Sequence, residues 1–362
     1  MPFRPRAAPC IDSRPALKPR RKGLRPLVSH LLRYAFVLLG AAILALVLWH
    51  TDLGAVADRL AQLGALGALA VLGLYLVAFT LDATVWMLTF VSRHPSAAWL
   101  FRLFEIRLIG EAVNNATPLG SVGGEPVKAM LLRQYLGISL REGVASLVLT
   151  RTCMMVGLVL FLSTGFALML ASERLPDTLQ VVAGAGLTGF AVGIALLIVV
   201  QRLGVATMAG GWAIGRGRYG ERLTRWLDAI YDMDRQLMTF YTRHLARFFP
   251  AVLFSTGNWM LGAVELMVVM ELFGHPIPFS DAIVIEALAQ LVRAGTFFIP
   301  MSLGAQEGTF MLALGAITGQ PALGLAVAFV RRGRELIWLL LGLVMFWMFS
   351  GRPWHPDAPE RA

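Results

Sequence analysis

Asn114-Asn115-Ala116-Thr117-Pro118-Leu119-Gly120-Ser121-Val122-Gly123-Gly124-Glu125 interrupts an otherwise apolar segment spanning about 101–136. A second interruption, Pro300-Met301-Ser302-Leu303-Gly304-Ala305-Gln306-Glu307, falls inside the apolar segment 280–318. Proline and clustered glycine stop a helix, and non-helical backbone at membrane depth survives only inside protein or against a wet cavity. Each segment therefore reads as a helical hairpin that enters and leaves the membrane on one side. The two also match. Pro118 and Pro300 stand 182 residues apart, as do Glu125 and Glu307, and Gly137 and Gly319. The structural breaks are Pro118, Gly120, Gly123 and Gly124 in the first copy, and Pro300 and Gly304 in the second.

The composition agrees with a membrane setting. Of 362 residues, 57% are hydrophobic and only 15% charged, with a mean hydropathy of +0.67. Soluble domains are roughly half apolar and about a quarter charged. Apolar residues come in long blocks, which excludes one compact soluble domain. The 36 Gly and 18 Pro show no period, which excludes a collagen-like chain. A formal charge of +10 would suggest nucleic acid in a soluble protein. Here the basic residues lie between apolar blocks, where they set topology and touch anionic lipid, so no nucleic-acid partner is expected. Cys10 and Cys153 form no plausible pair, the six His form no ligand cluster, and no phosphate-binding glycine loop occurs. No metal and no cofactor are expected.

Bilayer crossings need roughly 20 apolar residues. Six intervals qualify: 34–51, about 66–91, about 143–171, 178–201, 248–273 and about 323–349. Within the fourth, Gly189 and Gly193 would let another helix pack close. Nine basic residues against Asp12 mark residues 1–33 as a cytoplasmic tail, and 351–362 falls on the same side. Loop arginines then alternate as the positive-inside rule requires, with eight Arg in 202–247. A cleaved leader ending near Ala55-Val56-Ala57 is the competing reading of the first span; the long Pro- and Arg-rich lead favours an uncleaved anchor. Residues 220–247 place Leu223, Trp226, Leu227, Ile230, Met233, Leu237, Phe240 and Tyr241 at helical spacing between charges. They read as an amphipathic anchor on the cytoplasmic face. Three full spans between the hairpins make the second hairpin enter from the opposite side. The fold class is thus an all-α integral membrane protein, with six full spans and two oppositely inserted re-entrant hairpins forming an inverted repeat within 34–350.

In such repeats the site lies near the midplane, at the half-helix ends. Each second half-helix directs free N–H groups and its positive dipole end inward, which suits phosphate. Lys128, Arg133, Arg151, Arg293, Arg331, Arg332 and Arg334 are the cations near enough to join it. Intramembrane arginine either faces water or is paired; the competing reading pairs Arg151, Arg331 and Arg332 with Glu125, Glu307 or Glu335 to fix helix packing. Glu125 and Glu307 can cap the half-helices as well as couple protons or headgroup. Asn114 and Asn115 line the cavity or hydrogen-bond the broken backbone. Asp82 and Glu265 are membrane carboxylates without an assigned partner.

From Asn114-Asn115-Ala116-Thr117-Pro118 through Gly123-Gly124-Glu125, and from Pro300 through Gly304-Ala305-Gln306-Glu307-Gly308, the chain resembles the lysylphosphatidylglycerol synthase transmembrane-region family. This family of flippase-like bacterial and archaeal proteins includes hopanoid-associated members. The resemblance covers roughly 30–350 and includes the final Arg-Glu span. It implies lipid handling, and with 13 residues after Phe349 it implies the lipid-moving part without lipid aminoacylation. The expected function is binding and translocation of an anionic lipid, phospholipid or polyprenyl-phosphate-linked, between leaflets of the inner membrane, with both termini cytoplasmic. The alternatives are an intramembrane glycosyl or acyl transferase using Glu125, Glu307 or Asp82 as base, and a scaffold for lipid-biosynthesis enzymes.

The topology is tested with single cysteines in a background lacking Cys10 and Cys153. Probes at Ala55 and Leu175 should label from outside, and probes at Ala97, Ile138 and Gly215 only after the membrane is opened. Outside labelling at Gly215 would reverse the orientation, because that loop carries the densest positive charge.

Overall fold

Length and apolarity alone make four helices competent to cross a bilayer, with candidate spans at Ala61–Thr89, Leu140–Leu170, Gln180–Val200 and Leu245–Leu272. The computed structural model describes residues 53–91, 93–116, 123–171, 177–203, 235, 237–296, 302 and 304–350. Among these it is all-helical. In chain order the elements are α1 (Leu53–Thr89), α2 (Ala97–Ala116), α3 (Gly124–Leu136), α4 (Leu140–Leu170), α5 (Asp177–Leu203), α6 (Leu245–Leu272), α7 (Phe279–Gly295), α8 (Ala305–Thr318) and α9 (Pro321–Ser350). The 30-residue α9 is long enough to cross, but Arg331, Arg332, Arg334 and Glu335 interrupt its apolar run. At 13 and 14 residues, α3 and α8 extend about 20 Å, short of a ~30 Å hydrocarbon core. The first expected span, most of the amphipathic segment, and Pro118, Gly120 and Pro300 lie outside the described residues.

The internal repeat is wider than its three sequence identities. α2 begins at 97 and α7 at 279, the same 182 offset. α3 and α8 each carry a glutamate in the first turn and end on a left-handed glycine, Gly137 (φ 65°) and Gly319 (φ 72°). An L-residue there would be strained, so the glycine fixes where each half-helix stops. The flanking helices also correspond: α1 to α6 and α4 to α9. Packing follows suit, since α9 lies on α2 as α7 lies on α4, and α1 packs on α6.

Contacts at the helix ends set the directions. Arg247, at the start of α6, donates to the Arg93 carbonyl just past α1, while Gly67, early in α1, faces Leu272 at the end of α6. These two helices are antiparallel. Trp86, late in α1, donates to Ser146, early in α4, and Tyr135 at the end of α3 donates to the Phe349 carbonyl. The α2–α3 hairpin therefore opens at the same end as the α6 start. The α7–α8 hairpin follows α6 and opens at the other end. The described end of the amphipathic segment buries Leu237, Phe240 and Tyr241 against Val85, Cys153 and Val252. These three residues are packed on the ends of α1, α4 and α6.

For Gly189 and Gly193 no close neighbour is found among the described residues: nothing comes within 4 Å of a β-carbon placed at either. Close packing of α5 uses other glycines instead: Gly184 meets Phe166 and Gly186 meets Leu291.

The tightest approach lies within the first hairpin. A β-carbon at Gly124 would sit 1.9 Å from the Gly110 carbonyl oxygen, and one at Gly110 would sit 2.3 Å from Lys128 Cε. Because the first obstacle is backbone, Gly124→Ala should force α2 and α3 apart and cost about 1–3 kcal/mol or more. Gly73→Ala, whose β-carbon meets nothing within 4 Å, should be neutral or gain up to about 1 kcal/mol of helix propensity. Thermal unfolding in detergent separates them; equal melting temperatures would contradict the close approach.

Candidate functional site

Between the two repeat halves lies a cavity of about 690 Å³, walled by every described helix except α8. That volume suits a headgroup-sized ligand. Its polar wall is a set of ion pairs, most of them joining two helices.

In the first half, Arg107 of α2 donates to Asp82 of α1. Asn258 of α6 donates to the other Asp82 oxygen at 2.9 Å. Four residues along α2, Glu111 faces Lys128, whose Nζ lies 4.0 Å from it and 3.0 Å from Glu125. Lys128 is 2% exposed, threaded over Gly110. Arg151 of α4 reaches the same Glu125 oxygen at 3.1 Å. Asn114 accepts from the Gly124 N–H at 2.6 Å, satisfying one of the free donors that begin α3.

The second half is built alike with different partners. Arg332 donates to Glu307 and, at 3.0 Å, to Glu335. Glu307 also accepts from the Gly304 N–H at 2.8 Å, so it caps α8 and holds an arginine together. Arg331 pairs with Glu286 at 2.7 Å, donates to the Gly262 carbonyl and lies over the Phe310 ring. Arg334 pairs with Glu265 and covers the Tyr75 ring of α1 at 3.9 Å. Arg293 stands 3.7 Å from Glu335. The backbone breaking this hairpin is left-handed at Gly304 (φ 79°) and at Ser302 (φ 49°), a buried residue on the cavity wall.

Charges balance in each half. Asp82, Glu111 and Glu125 oppose Arg107, Lys128 and Arg151; Glu265, Glu286, Glu307 and Glu335 oppose Arg293, Arg331, Arg332 and Arg334. Every ion pair found among these groups joins members of the same half. Across the halves the wall is joined by the Asn258–Asp82 hydrogen bond, by Trp259 donating to the Met154 carbonyl at 3.2 Å, and by Arg334 over Tyr75. The Glu265 Oε1 and Asn258 Oδ1 acceptors and the Arg107 and Arg334 Nε donors are buried without a hydrogen bond among the described residues. Polar capacity therefore remains in the wall.

The cavity gathers most of the residues expected from the sequence. Asn114, Asn115, Glu125, Arg151, Arg293, Arg331 and Arg334 line it; Lys128, Glu307, Arg332 and Glu335 stand behind, held by the pairs above. Arg133 departs from expectation: it is exposed in the last turn of α3 and outside the lining. Nine residues, about two and a half turns of helix, separate it from Gly124 at the start of α3. Arg331 takes Glu286 as its carboxylate rather than one of the three anticipated. Asp82 and Glu265 gain partners in Arg107 and Arg334. Sequence reasoning missed Arg107, Glu111, Glu286 and Gln290. The available signal was spacing: Arg107/Glu111 and Glu286/Gln290/Arg293 recur every three or four residues, on one face of largely apolar helices. Among the described residues no group of His, Cys, Asp and Glu is placed to hold a metal ion.

An apolar helical bundle enclosing a charged cavity defines a membrane protein with an internal polar site. The lysylphosphatidylglycerol synthase transmembrane-region family matches residues 31–342, and the chain belongs to that family. It is also similar to a UPF0104 membrane protein of Methanothermobacter thermautotrophicus, 24% identical over 256 residues, spanning 68% of this chain and 72% of that protein. No solved structure matches it significantly.

Glu286 provides a test of the closed network. Arg331 is 4% exposed, and Glu286→Gln removes its carboxylate. Leaving one member of a buried pair unpartnered costs about 3–5 kcal/mol. Thermal unfolding in detergent should show a large loss for this variant and a smaller one for Glu105→Gln, whose partner Arg102 is 55% exposed. Equal losses would mean that Arg331 is stabilised from elsewhere.

Proposed function

We propose that the protein binds a lipid carrying an anionic, phosphate-bearing headgroup and moves it between the leaflets of the inner membrane. In this reading the α2–α3 and α7–α8 pairs are re-entrant hairpins of an inverted repeat, six spans cross the bilayer, and both termini are cytoplasmic. The observation that carries it is the charged cavity enclosed between two matching halves, whose hairpins open at opposite ends of the bundle. A site so framed can be reached alternately from the two faces. Acyl chains can remain among the apolar helices while the headgroup trades water for the polar wall. The family's description supports a lipid-related role.

Purified protein in liposomes should accelerate leaflet exchange of a labelled anionic phospholipid and leave its mass unchanged. Glu125→Gln and Glu307→Gln should each slow exchange about tenfold, the effect of losing roughly 1.5 kcal/mol of charge-assisted contact. A lipid of altered mass with no gain in exchange would make the protein an intramembrane transferase instead.

A second measurement follows from the charge balance. With its own charges compensated, the site carries a singly anionic headgroup as one net charge. A potential of 100 mV should then bias the equilibrium leaflet distribution by up to about 2.3 kcal/mol. Exchange indifferent to potential would show that a proton or counter-ion travels with the lipid.

A further inference from the structure

We propose that Arg151 and Arg293, one from each half of the fold, are the groups that grasp the headgroup phosphate; this rests on the lipid-binding reading above. The remaining cations of the cavity network hold the wall together.

Exposure separates the two sets. The side chains of Arg151 and Arg293 are 39% and 40% exposed, and both line the cavity. Lys128, Arg107 and the three arginines of α9 lie between 2% and 11% exposed. Pair geometry separates them again. A phosphate that drew Arg331 or Arg334 away would strand Glu286 or Glu265 in the protein interior, which is strongly unfavourable. Arg151 and Arg293 are different. If Arg151 turns to a ligand, Glu125 keeps Lys128 at 3.0 Å. If Arg293 turns, Glu335 keeps Arg332 at 3.0 Å. The Arg293–Glu335 separation of 3.7 Å is already beyond a hydrogen bond. Each arginine can therefore exchange its carboxylate for a phosphate without leaving a buried charge alone. Guanidinium presents a planar fork of donors that matches two phosphate oxygens.

The ligand chemistry is a phosphate oxyanion, borne by a lipid or free in solution. The test uses the full chain in phosphate-free digalactosyldiacylglycerol vesicles. Leaflet exchange is followed for tail-labelled phosphatidylglycerol and for tail-labelled digalactosyldiacylglycerol, alongside uptake of radiolabelled inorganic phosphate. Arg151→Gln and Arg293→Gln should each slow phosphatidylglycerol exchange about tenfold or more, while the galactolipid rate and melting temperature stay at wild-type values. Arg151→Lys and Arg293→Lys, which keep the charge but lose the fork, should slow it less; they supply the comparison if a Gln variant does not fold. Equal slowing of both lipids, unchanged phosphatidylglycerol exchange, or loss of melting temperature alone overturns the proposal. Inorganic phosphate uptake that both Gln variants abolish, without lipid exchange, keeps the two arginines as phosphate ligands and overturns the lipid reading. A wild-type protein that moves neither phosphatidylglycerol nor inorganic phosphate overturns both.

Discussion

A charge inside a bilayer must be neutralised where it stands, and this requirement organises the structure. Lipid tails are as apolar as leucine, so apolar burial does not drive one helix against another; packing and polar contacts do. Each charged pair is therefore also an instruction for assembly. Asp82–Arg107 ties α1 to α2, Glu111–Lys128 ties α2 to α3, Glu307–Arg332 ties α8 to α9, and Glu265–Arg334 ties α6 to α9. The glycines make those pairs geometrically possible. Without the bare backbone of Gly110, Lys128 could not lie flat across α2 to reach both Glu111 and Glu125.

The repeat conserves scaffold and lets chemistry diverge. Glutamate in the first turn and left-handed glycine at the end recur in both half-helices. At other corresponding positions the halves differ. Lys128 corresponds to Phe310, which is fully buried and lies beneath the Arg331 guanidinium. Glu111 corresponds to Arg293, a reversal of sign. The two hairpins also satisfy their opening N–H groups differently, through Asn114 in one and Glu307 in the other. A ligand in the cavity thus meets two related walls of different character, although each wall is neutral.

Much of this was legible in the sequence because the strongest signals were local. Proline and clustered glycine in apolar segments marked both breaks, and helix bounds fell within a few residues of the apolar intervals for α4, α5, α6 and α9. For α1 the structure extends further back, to Leu53 across a kink at Gly64, where hydropathy alone placed the start near Leu66. The family followed from the motifs around the breaks. Partner choice was not legible. Nothing in spacing tells Arg331 to take Glu286 rather than Glu307, because that depends on how α7 and α9 cross. Arg133 shows the opposite error: closeness in sequence to Glu125 put it in the candidate set, yet it is exposed in the last turn of α3, away from the cavity. Gly189 and Gly193 show that a small-residue pair permits close packing without specifying a neighbour.

Confinement of the ion pairs to one half or the other has a mechanical consequence. Separating a guanidinium from a carboxylate at low dielectric costs far more than breaking one hydrogen bond between helices, which in membranes averages only about 0.6 kcal/mol. Had Glu125 paired with Arg332, or Glu307 with Arg151, any shift between halves would have had to separate charge in the bilayer. Instead the polar joints at the cavity are hydrogen bonds, from Asn258 to Asp82 and from Trp259 to the Met154 carbonyl, and a guanidinium lying on a tyrosine ring. These tolerate sliding better than a closed ion pair does, since an amide can find water and a cation can move across a ring face. The ion pairs hold each half together, while hydrogen bonds, a ring contact and helix packing join the halves, and the cavity lies along that joint.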